Sequence, residues 1–190
     1  MSAWGIQPQE RLISFPCDKY LPDFEAAYFR GVTVNSPADI VFRWLCQMKI
    51  APYSYDWIDN RGRQSPRTLT PGLDRLDVGQ KIMGAPLVEF EPNKHLTAGG
   101  ESKTLGKIYV TYLIVPQEHN ECRLLVKVLA RYPRSITGLL LHAFLPWGDL
   151  IMMRRQLLNF KTLSEQTYEQ NFQKPPAEQS RSPPRASSTS

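Results

Sequence analysis

The chain has 190 residues, of which 42% are hydrophobic and 22% charged, and its formal net charge is +5. This length and balance fit one globular domain and exclude a chain that is disordered throughout. The basic residues are scattered along the sequence rather than gathered in a stripe, so we expect no nucleic-acid partner.

The cysteines are Cys17, Cys46 and Cys122, and no two of them form a CxxC pair. This sparse, odd set predicts reduced thiols rather than a disulfide framework or a zinc site. The N-terminal residues lack the basic start and apolar core of a secretory signal. The most apolar window, residues 136–153, is interrupted too often for a membrane span of about 20 residues. We therefore expect a cytoplasmic protein without a transmembrane segment, and the sequence leaves the oligomeric state open.

The two ends of the chain differ in composition from its middle. Residues 1–23 contain several prolines among scattered apolar residues and are predicted to form an extended N-terminal arm. Residues 171–190 are rich in proline, serine and glutamine and are predicted to be a disordered tail. The folded domain is expected between them, over residues 24–170.

The domain opens with a predicted strand, AYFRGVTV, in which Gly31 suggests a bulge or bend. A helix start follows, because Ser36 can serve as the N-cap, Pro37 suits the first helical position and Asp39 is acidic. The residues that share one face of this helix are Val41, Trp44, Leu45 and Met48. Their spacing is typical of a helix that packs on a core.

Extended segments occupy the middle of the chain. Three weak candidates begin at Val78, Ala85 and His95, and two strong ones cover residues 106–116 and 122–133. In the last strand, apolar residues alternate with a face that carries Arg123, Lys127 and Arg131. Such alternation predicts one face on a core and one charged face. Residues 117–121 have the composition of a hairpin turn between the two strong strands.

A long helix is predicted to end the domain. Pro146, Gly148 and a capping Asp149 indicate a turn, after which apolar residues recur at helical spacing. These residues are Leu150, Met153, Leu157 and Phe160. The order of strand, helix, antiparallel strands and long helix predicts an α+β fold, with the long helix on the concave face of a curled sheet.

Several segments resemble the START/polyketide-cyclase-like superfamily, also labelled SRPBCC, between about residues 28 and 167. They are Val32 to Pro37 with Val41, Trp44, Leu45, Gln47 and Met48, then YSYDWIDN, RGRQSPR, Leu76, Val78 and Gly79, and later Pro146, Gly148, Asp149, Met153, Arg155, Leu157, Leu158 and Lys161. The segment YSYDWIDN resembles the sequence of one bacterial branch of this superfamily. The resemblance implies a helix-grip fold, a curled antiparallel β-sheet wrapped around a long C-terminal α-helix, with a cavity for an apolar or aromatic small molecule. Because members include lipid carriers, hormone-binding proteins and aromatase/cyclases, the fold does not select a function.

The loop after the first helix carries aromatic residues at alternate positions, Tyr53, Tyr55 and Trp57. If the loop is extended, all three point the same way and can line the mouth of a cavity. The alternative is that they fill the gap between the first helix and the sheet.

The same loop carries polar candidates. Asp56, Asp59 and Asn60 can supply a general base or a polar anchor, or they can bond neighbouring backbone groups and fix the turn. Arg67 can brace the loop through these aspartates or offer a fork to a ligand carboxylate.

Candidates for the interior come from the fifth extended segment, residues 106–116, and from the last helix. Tyr109 and Tyr112 have opposite strand parity, and Tyr112 shares its face with apolar residues, so Tyr112 is the predicted interior residue. Its hydroxyl then needs a partner, either from the protein or from a ligand. Met153 and Phe160 offer adaptable apolar lining, or they belong to the ordinary core.

The histidines, His95, His119 and His142, show no HxH or HExxH spacing, so no metal site and no cofactor are predicted. His142 lies in an apolar run, where it either faces the cavity as an acid–base group or packs with a satisfied hydrogen bond.

The first functional hypothesis is a non-catalytic protein that binds or carries an apolar or aromatic small molecule between the sheet and the C-terminal helix. One alternative is a cyclase/dehydrase-type enzyme, in which Tyr112, His142 or an acid from residues 56–59 moves protons. The other is a protein-interaction module that uses the aromatic loop and the tail. The sequence contains no GxSxG motif, glycine-rich phosphate loop or Cys/His nucleophile pattern.

Overall fold

The structure, a computed structural model, describes residues 2–55, 62–103, 105–133 and 136–173. Within these ranges the strands are β1 Ser2–Trp4, β2 Ala26–Val34, β3 Lys81–Ile82, β4 Ala85–Glu91, β5 His95–Ser102, β6 Gly106–Pro116 and β7 Cys122–Arg131. The α-helices are α1 Ala38–Cys46 and α2 Ile136–Gln173. Short 3-10 helices cover Pro8–Leu12, Pro16–Lys19 and Gln47–Lys49.

The strands form one sheet in the order β1-β2-β7-β6-β5-β4-β3. Strand β1 is parallel to β2, and the other neighbours are antiparallel. The predicted antiparallel sheet is therefore mixed, because residues 2–4 add a parallel strand at its edge. The predicted hairpin between β6 and β7 is confirmed, with His119 and Asn120 at positive φ in its turn.

Helices α1 and α2 cover the inner face of the curled sheet and enclose the main core. The predicted buried face of the first helix is confirmed, since Val41, Trp44, Leu45 and Met48 are all buried. The α+β arrangement with a long C-terminal helix is confirmed as well. Helix α1 begins one residue later than the Ser36 cap predicts: Pro37 is the N-cap, and the Ser36 hydroxyl is buried without a hydrogen-bond partner.

Helix α2 begins earlier than the sequence predicts. The expected turn at Pro146 and Gly148 is wrong, because both residues lie inside a continuous helix of 38 residues. A proline inside a helix loses one backbone hydrogen bond at a cost of about 3 kcal/mol, whereas the other turns keep theirs. No helix in the described ranges is long and apolar enough to cross a membrane. The helix runs to Gln173, and residues 174–190 of the predicted tail lie outside the described residues.

The charged face of β7 is covered by the N-terminal arm, most completely at Arg123 and Lys127. The described residues of the N-terminal arm lie against the outer face of the sheet and supply a carboxylate to each of its three cations. The pairs are Glu10 with Arg123, Asp18 with Lys127, and Asp23 with Arg131. Because residues four apart on a strand share a face, the arm follows β7 along its length.

The pair of Glu10 and Arg123 is the most deeply buried of the three, with each side chain about 10% exposed. Arg123 Nε and Nη2 donate to the two Glu10 carboxylate oxygens at 2.6 and 2.8 Å. The same guanidinium donates to the Gly5 carbonyl at 2.7 Å and to Thr33 Oγ1 at 2.9 Å. Burial acts to raise the pKa of Glu10, but the hydrogen bonds from Arg123 and the Gln7 N–H outweigh it and lower the pKa.

Apolar residues of the arm build a second core on the outer face. Phe15 packs edge-on against Phe29 of β2, with ring centroids 6.1 Å apart. Lys127 Nζ lies 5.4 and 5.2 Å from the centroids of these two rings and 2.5 Å from Asp18 Oδ1. Both faces of the sheet are thus buried, the inner one by helices and the outer one by the arm.

Gly31 has a different role from the predicted bulge. It pairs with Leu125 in a regular ladder, and the register shift of the sheet lies in β4 instead, between Leu87 and Glu89. A Cβ at Gly31 would lie 3.0 Å from the Gly5 carbonyl oxygen and from Arg123 Nη2. The glycine therefore permits the close approach of the arm to the sheet.

Candidate functional site

Residues 51–55, which we call the strap, cross helix α2 and are held there by two amide side chains. Gln156 Nε2 donates to the Pro52 carbonyl at 2.5 Å, and Asn159 Nδ2 donates to the Tyr53 carbonyl at 2.7 Å. Gln156 and Asn159 are three residues apart and therefore share one face of the helix. Two consecutive carbonyls of the strap are fixed in this way.

A polar pair lies at the centre of the inner core. The Tyr112 hydroxyl donates to Gln156 Oε1 at 2.6 Å, and both side chains are buried. Three methionine sulfurs surround the pair. Met153 Sδ lies 3.7 Å from the Tyr112 hydroxyl, whereas Met83 Sδ and Met48 Sδ lie 2.9 and 3.8 Å from Gln156 Nε2. We call these five residues the methionine cluster.

The methionine cluster can change shape around an apolar molecule. Methionine is unbranched and polarizable, so its side chain fills irregular spaces in several conformations. Met83 is 42% exposed, which brings the cluster to the protein surface at that residue. The Tyr112 hydroxyl supplies a hydrogen-bonding group within these apolar surroundings.

The prediction that Tyr112 rather than Tyr109 faces the interior is confirmed. Tyr112 belongs to the inner core, whereas Tyr109 packs on the outer face and stacks on Tyr20 of the arm at 5.5 Å. Because Gln156 bonds the Tyr112 hydroxyl, the protein itself supplies one of the partners that the sequence analysis required.

Tyr53 packs between the two helices. Its ring meets Trp44 of α1 edge-on at 5.9 Å and Phe160 of α2 at 5.4 Å. The backbone of Tyr53 has φ 58°, a left-handed conformation, so the strap is not extended there and its side chains do not alternate. Tyr55 is half-buried. Trp57 lies outside the described residues.

A small cleft of about 130 Å³ lies beside the strap, between it, residues 64–67 and helix α2. Tyr53 and Ser54 of the strap line this cleft. Arg67, whose ligand contact stays a prediction, and Arg155 of α2 line it as well. The expected bracing of Arg67 by Asp56 or Asp59 stays a prediction, since both aspartates lie outside the described residues.

The structure thus distributes the predicted site residues between two places. Tyr112 and Met153 meet in the methionine cluster, whereas Tyr53 and Arg67 line the cleft. Phe160 packs against Tyr53 in the core between them. The side chain of His142 lies outside the described part of the structure.

Gln156 is not among the predicted site residues, although its position carries a signal. Gln156 lies three residues after Met153 and four residues before Phe160, so it places an amide on the apolar face of the helix. A lone polar residue in such a stripe indicates a buried hydrogen bond. Met83 and Arg155 carry no comparable signal, because their contacts join segments far apart in the chain.

The cysteines and the described histidines offer little chemistry. Burial raises the pKa of the Cys17 thiol to about 11 and those of Cys46 and Cys122 to about 12, so all three stay protonated at neutral pH. His119 is exposed in the hairpin, and His95 is buried on the outer face. Among the described residues, no group of three His, Cys, Asp or Glu side chains is placed to hold a metal ion.

No protein-family model matches the sequence, and no curated protein matches it. Several solved structures are similar to this chain. The hypothetical protein jhp0584 from Helicobacter pylori has a TM-score of 0.51 at 15% identity, with 80% of this chain and 95% of that chain covered. A START superfamily protein from Mycobacterium smegmatis has a TM-score of 0.42 at 13% identity, with 76% and 98% covered. The similarity to jhp0584 concerns the fold, a curled sheet with a long C-terminal helix.

The di-domain ARO/CYC StfQ from the steffimycin biosynthetic pathway is also similar, with a TM-score of 0.49 at 12% identity. The match covers 80% of this chain and 54% of StfQ, so the chain spans about half the length of that protein. Identities this low concern the fold and not its chemistry. The closer resemblance to one bacterial branch stays a prediction.

Proposed function

We propose that the protein binds or carries an apolar or aromatic small molecule between the sheet and helix α2. The observation that carries the proposal is the methionine cluster around the Tyr112–Gln156 pair. A core that serves only packing needs neither a central polar pair nor three flexible thioethers beside it. A binding site needs both, an adaptable apolar lining and a few placed polar groups.

The strap provides the means of entry in this proposal. Gln156 bonds both the Tyr112 hydroxyl and the Pro52 carbonyl, so a ligand that engages Gln156 competes with the strap for the same amide. Movement of Met83, which is partly exposed, opens the cluster to solvent without disturbing the deeply buried Met48. The resemblance of the sequence to the START/polyketide-cyclase-like superfamily supports the proposal, because it implies a ligand between the sheet and the C-terminal helix.

Thermal unfolding with a panel of fatty acids, sterols and polycyclic aromatics tests the proposal. A ligand at about 100 times its Kd stabilises the folded state by about 2.7 kcal/mol, which raises the Tm of a chain of this size by roughly 5–10 °C. Native mass spectrometry of the purified protein is expected to show a copurified small molecule. The absence of a shift with every class, together with no copurified molecule, contradicts the proposal.

The variant Tyr112→Phe separates a ligand anchor from a packing residue. It removes one buried hydroxyl and keeps the ring, so we expect hydroxylated sterols to bind about tenfold more weakly and an apolar aromatic such as pyrene to bind unchanged. Tyr109→Phe on the same strand is the matched control, because its hydroxyl lies on the outer face. Equal losses for both ligands, or for both variants, count against an anchoring role. Fluorescence titration provides the measurement.

The alternative function, an enzyme, requires a proton-transfer group at the same site in addition to a place for the ligand. A cyclase-type reaction needs a group that moves protons within reach of Tyr112, and the amide of Gln156 does not titrate in the physiological range. The acids at 56–59 lie outside the described residues, and so does the side chain of His142. The binding proposal needs only the groups already placed together, and it is therefore preferred. The other alternative, a protein-interaction module, needs exposed aromatic residues in this loop. Tyr53 cannot be one of them, because its ring is buried.

A further inference from the structure

The cleft beside the strap combines two cationic side chains with neutral polar groups. Arg67 and Arg155 line it, together with Ser54, Asn159 and Thr162. Arg155, Asn159 and Thr162 are spaced four and then three residues apart, so they face the cleft from one side of helix α2. The described residues that line the cleft include no acid.

The two guanidinium groups differ from the three cations of β7. Arg123, Lys127 and Arg131 each have a carboxylate partner. Within the described part of the chain, Arg67 and Arg155 have neither an ion pair nor a hydrogen bond, and both are exposed at the cleft. Two guanidinium forks that line one cleft, with no carboxylate partner among the described residues, can bind a carboxylate or a phosphate.

The size of the cleft limits what it can hold. Its volume of about 130 Å³ is well below the roughly 300–1,000 Å³ that is typical of pockets for drug-sized ligands. That space suits the head group of a ligand, and it is too small for a sterol or a polycyclic ring system. The larger apolar part of any such ligand must therefore lie elsewhere.

The strap connects the cleft to the methionine cluster. Asn159 holds the Tyr53 carbonyl at the cleft, and Gln156 holds the Pro52 carbonyl at the cluster, so the two places meet at two consecutive peptide units of the strap. Along the helix axis, residues 153 and 159 are separated by about 9 Å at 1.5 Å per residue. One elongated molecule can therefore reach both places.

We propose that the ligand is amphipathic and that its oxyanion head, a carboxylate or a phosphate ester, binds Arg67 and Arg155 in the cleft. The apolar part then lies in the methionine cluster, and this part of the inference rests on the proposed function. Arg67 and Arg155 determine specificity for the charged head, whereas the cluster accepts the chain.

The first experiment tests the cleft without the apolar site. Acetate and inorganic phosphate are titrated into ¹⁵N-labelled protein, and the arginine Nε–Hε signals are followed by NMR. Arg67→Gln and Arg155→Gln assign the two signals, and Arg43, which is exposed on α1, is the internal control. Saturable shifts of the Arg67 and Arg155 signals that weaken with added salt are expected. Shifts no larger than that of Arg43 would overturn the inference.

The second experiment measures binding of dodecanoate, dodecyl phosphate and dodecanol, which share a chain and differ in the head. Wild-type protein is expected to bind the preferred anion about five- to tenfold more tightly than dodecanol, because each exposed charge pair is worth up to about 1 kcal/mol. The double variant Arg67→Gln/Arg155→Gln should lose this preference and keep its affinity for dodecanol, whereas Arg43→Gln should keep both. A preference that survives the double variant overturns the inference.

The two experiments distinguish a failure of the proposed binding function from a failure of the head-group assignment. If the arginine signals respond to small anions and none of the three dodecyl compounds binds, the proposed apolar function fails and the oxyanion cleft stands. If dodecanol and the anions bind equally well, the apolar function stands and the assignment of the head group is overturned. The comparison of dodecanoate with dodecyl phosphate identifies which oxyanion the cleft prefers.

Discussion

Replacing Arg123 with methionine is expected to lower the free energy of unfolding by about 3–5 kcal/mol, because the substitution leaves Glu10 buried without its counter-charge. Arg123 also donates to the Gly5 carbonyl and to Thr33, and these acceptors lose their donor as well. The double variant Glu10→Met/Arg123→Met is expected to recover part of the loss, since an apolar pair needs no counter-charge. Urea unfolding followed by circular dichroism measures the three values.

Arg131→Met is the matched control for this prediction. Arg131 lies on the same strand and pairs with Asp23 of the same arm, but the two side chains are 40% and 60% exposed. An exposed pair contributes about 0–1 kcal/mol, so the control should change little. Equal losses for Arg123→Met and Arg131→Met would mean that burial of the Glu10 pair does not determine its contribution.

The contact of the arm with the sheet is expected to weaken in acid. Burial acts to raise the pKa values of Glu10 and Glu89, but hydrogen bonds from Arg123 to Glu10 and from Lys19 to Glu89 outweigh it, so both pKa values are lowered. A lowered carboxyl pKa gives stability that is present above the ordinary value near 4.5 and is lost as the pH falls through the folded-state pKa. Pulsed hydrogen exchange at a fixed labelling pH, after incubation between pH 7 and pH 3, should show protection of residues 6–25 falling before that of β6. Simultaneous loss in both segments contradicts this order.

Phe160→Ala is expected to cost about 3–5 kcal/mol of unfolding free energy, because it removes a fully buried ring from the contact with Tyr53. The matched control is Phe172→Ala on the same helix, where the ring is 78% exposed and the change should stay within about 0.5 kcal/mol. The same variant also tests the predicted ligand contact of Phe160. Ligand affinity that changes by less than twofold in Phe160→Ala assigns the residue to packing alone.

The helices and the inner face of the sheet were predictable because the sequence patterns that indicate them lie within short segments. The apolar face of α1 and the alternation along β7 are periodic patterns within short segments, and both faces lie where the pattern places them. Tyr112 followed from strand parity in the same way. Gln156 carried a readable signal too, since an amide interrupts an apolar stripe.

The packing of the N-terminal arm on the outer face of the sheet was not predictable, because its interactions join distant parts of the chain. Glu10 and Arg123 are separated by 113 positions, and nothing in either segment identifies the other as its partner. Arg123 and Lys127 therefore look like solvent-facing charges in the sequence, although both are buried. The left-handed backbone of Tyr53 was not predicted either, and its ring packs against Trp44 of α1 and Phe160 of α2.

Methyl NMR of the methionines tests the central claim most directly, that a small molecule lies between the sheet and helix α2. The chain contains five methionines, so ¹³C-methyl labelling gives a simple spectrum. With a ligand that raises the Tm, the methyl signals of Met48, Met83 and Met153 are expected to shift and to show NOEs to the ligand. Met152, the neighbour of Met153 on a different face of the helix, should show none. NOEs confined to Met152, or unchanged signals from all three cluster methionines, would contradict the account.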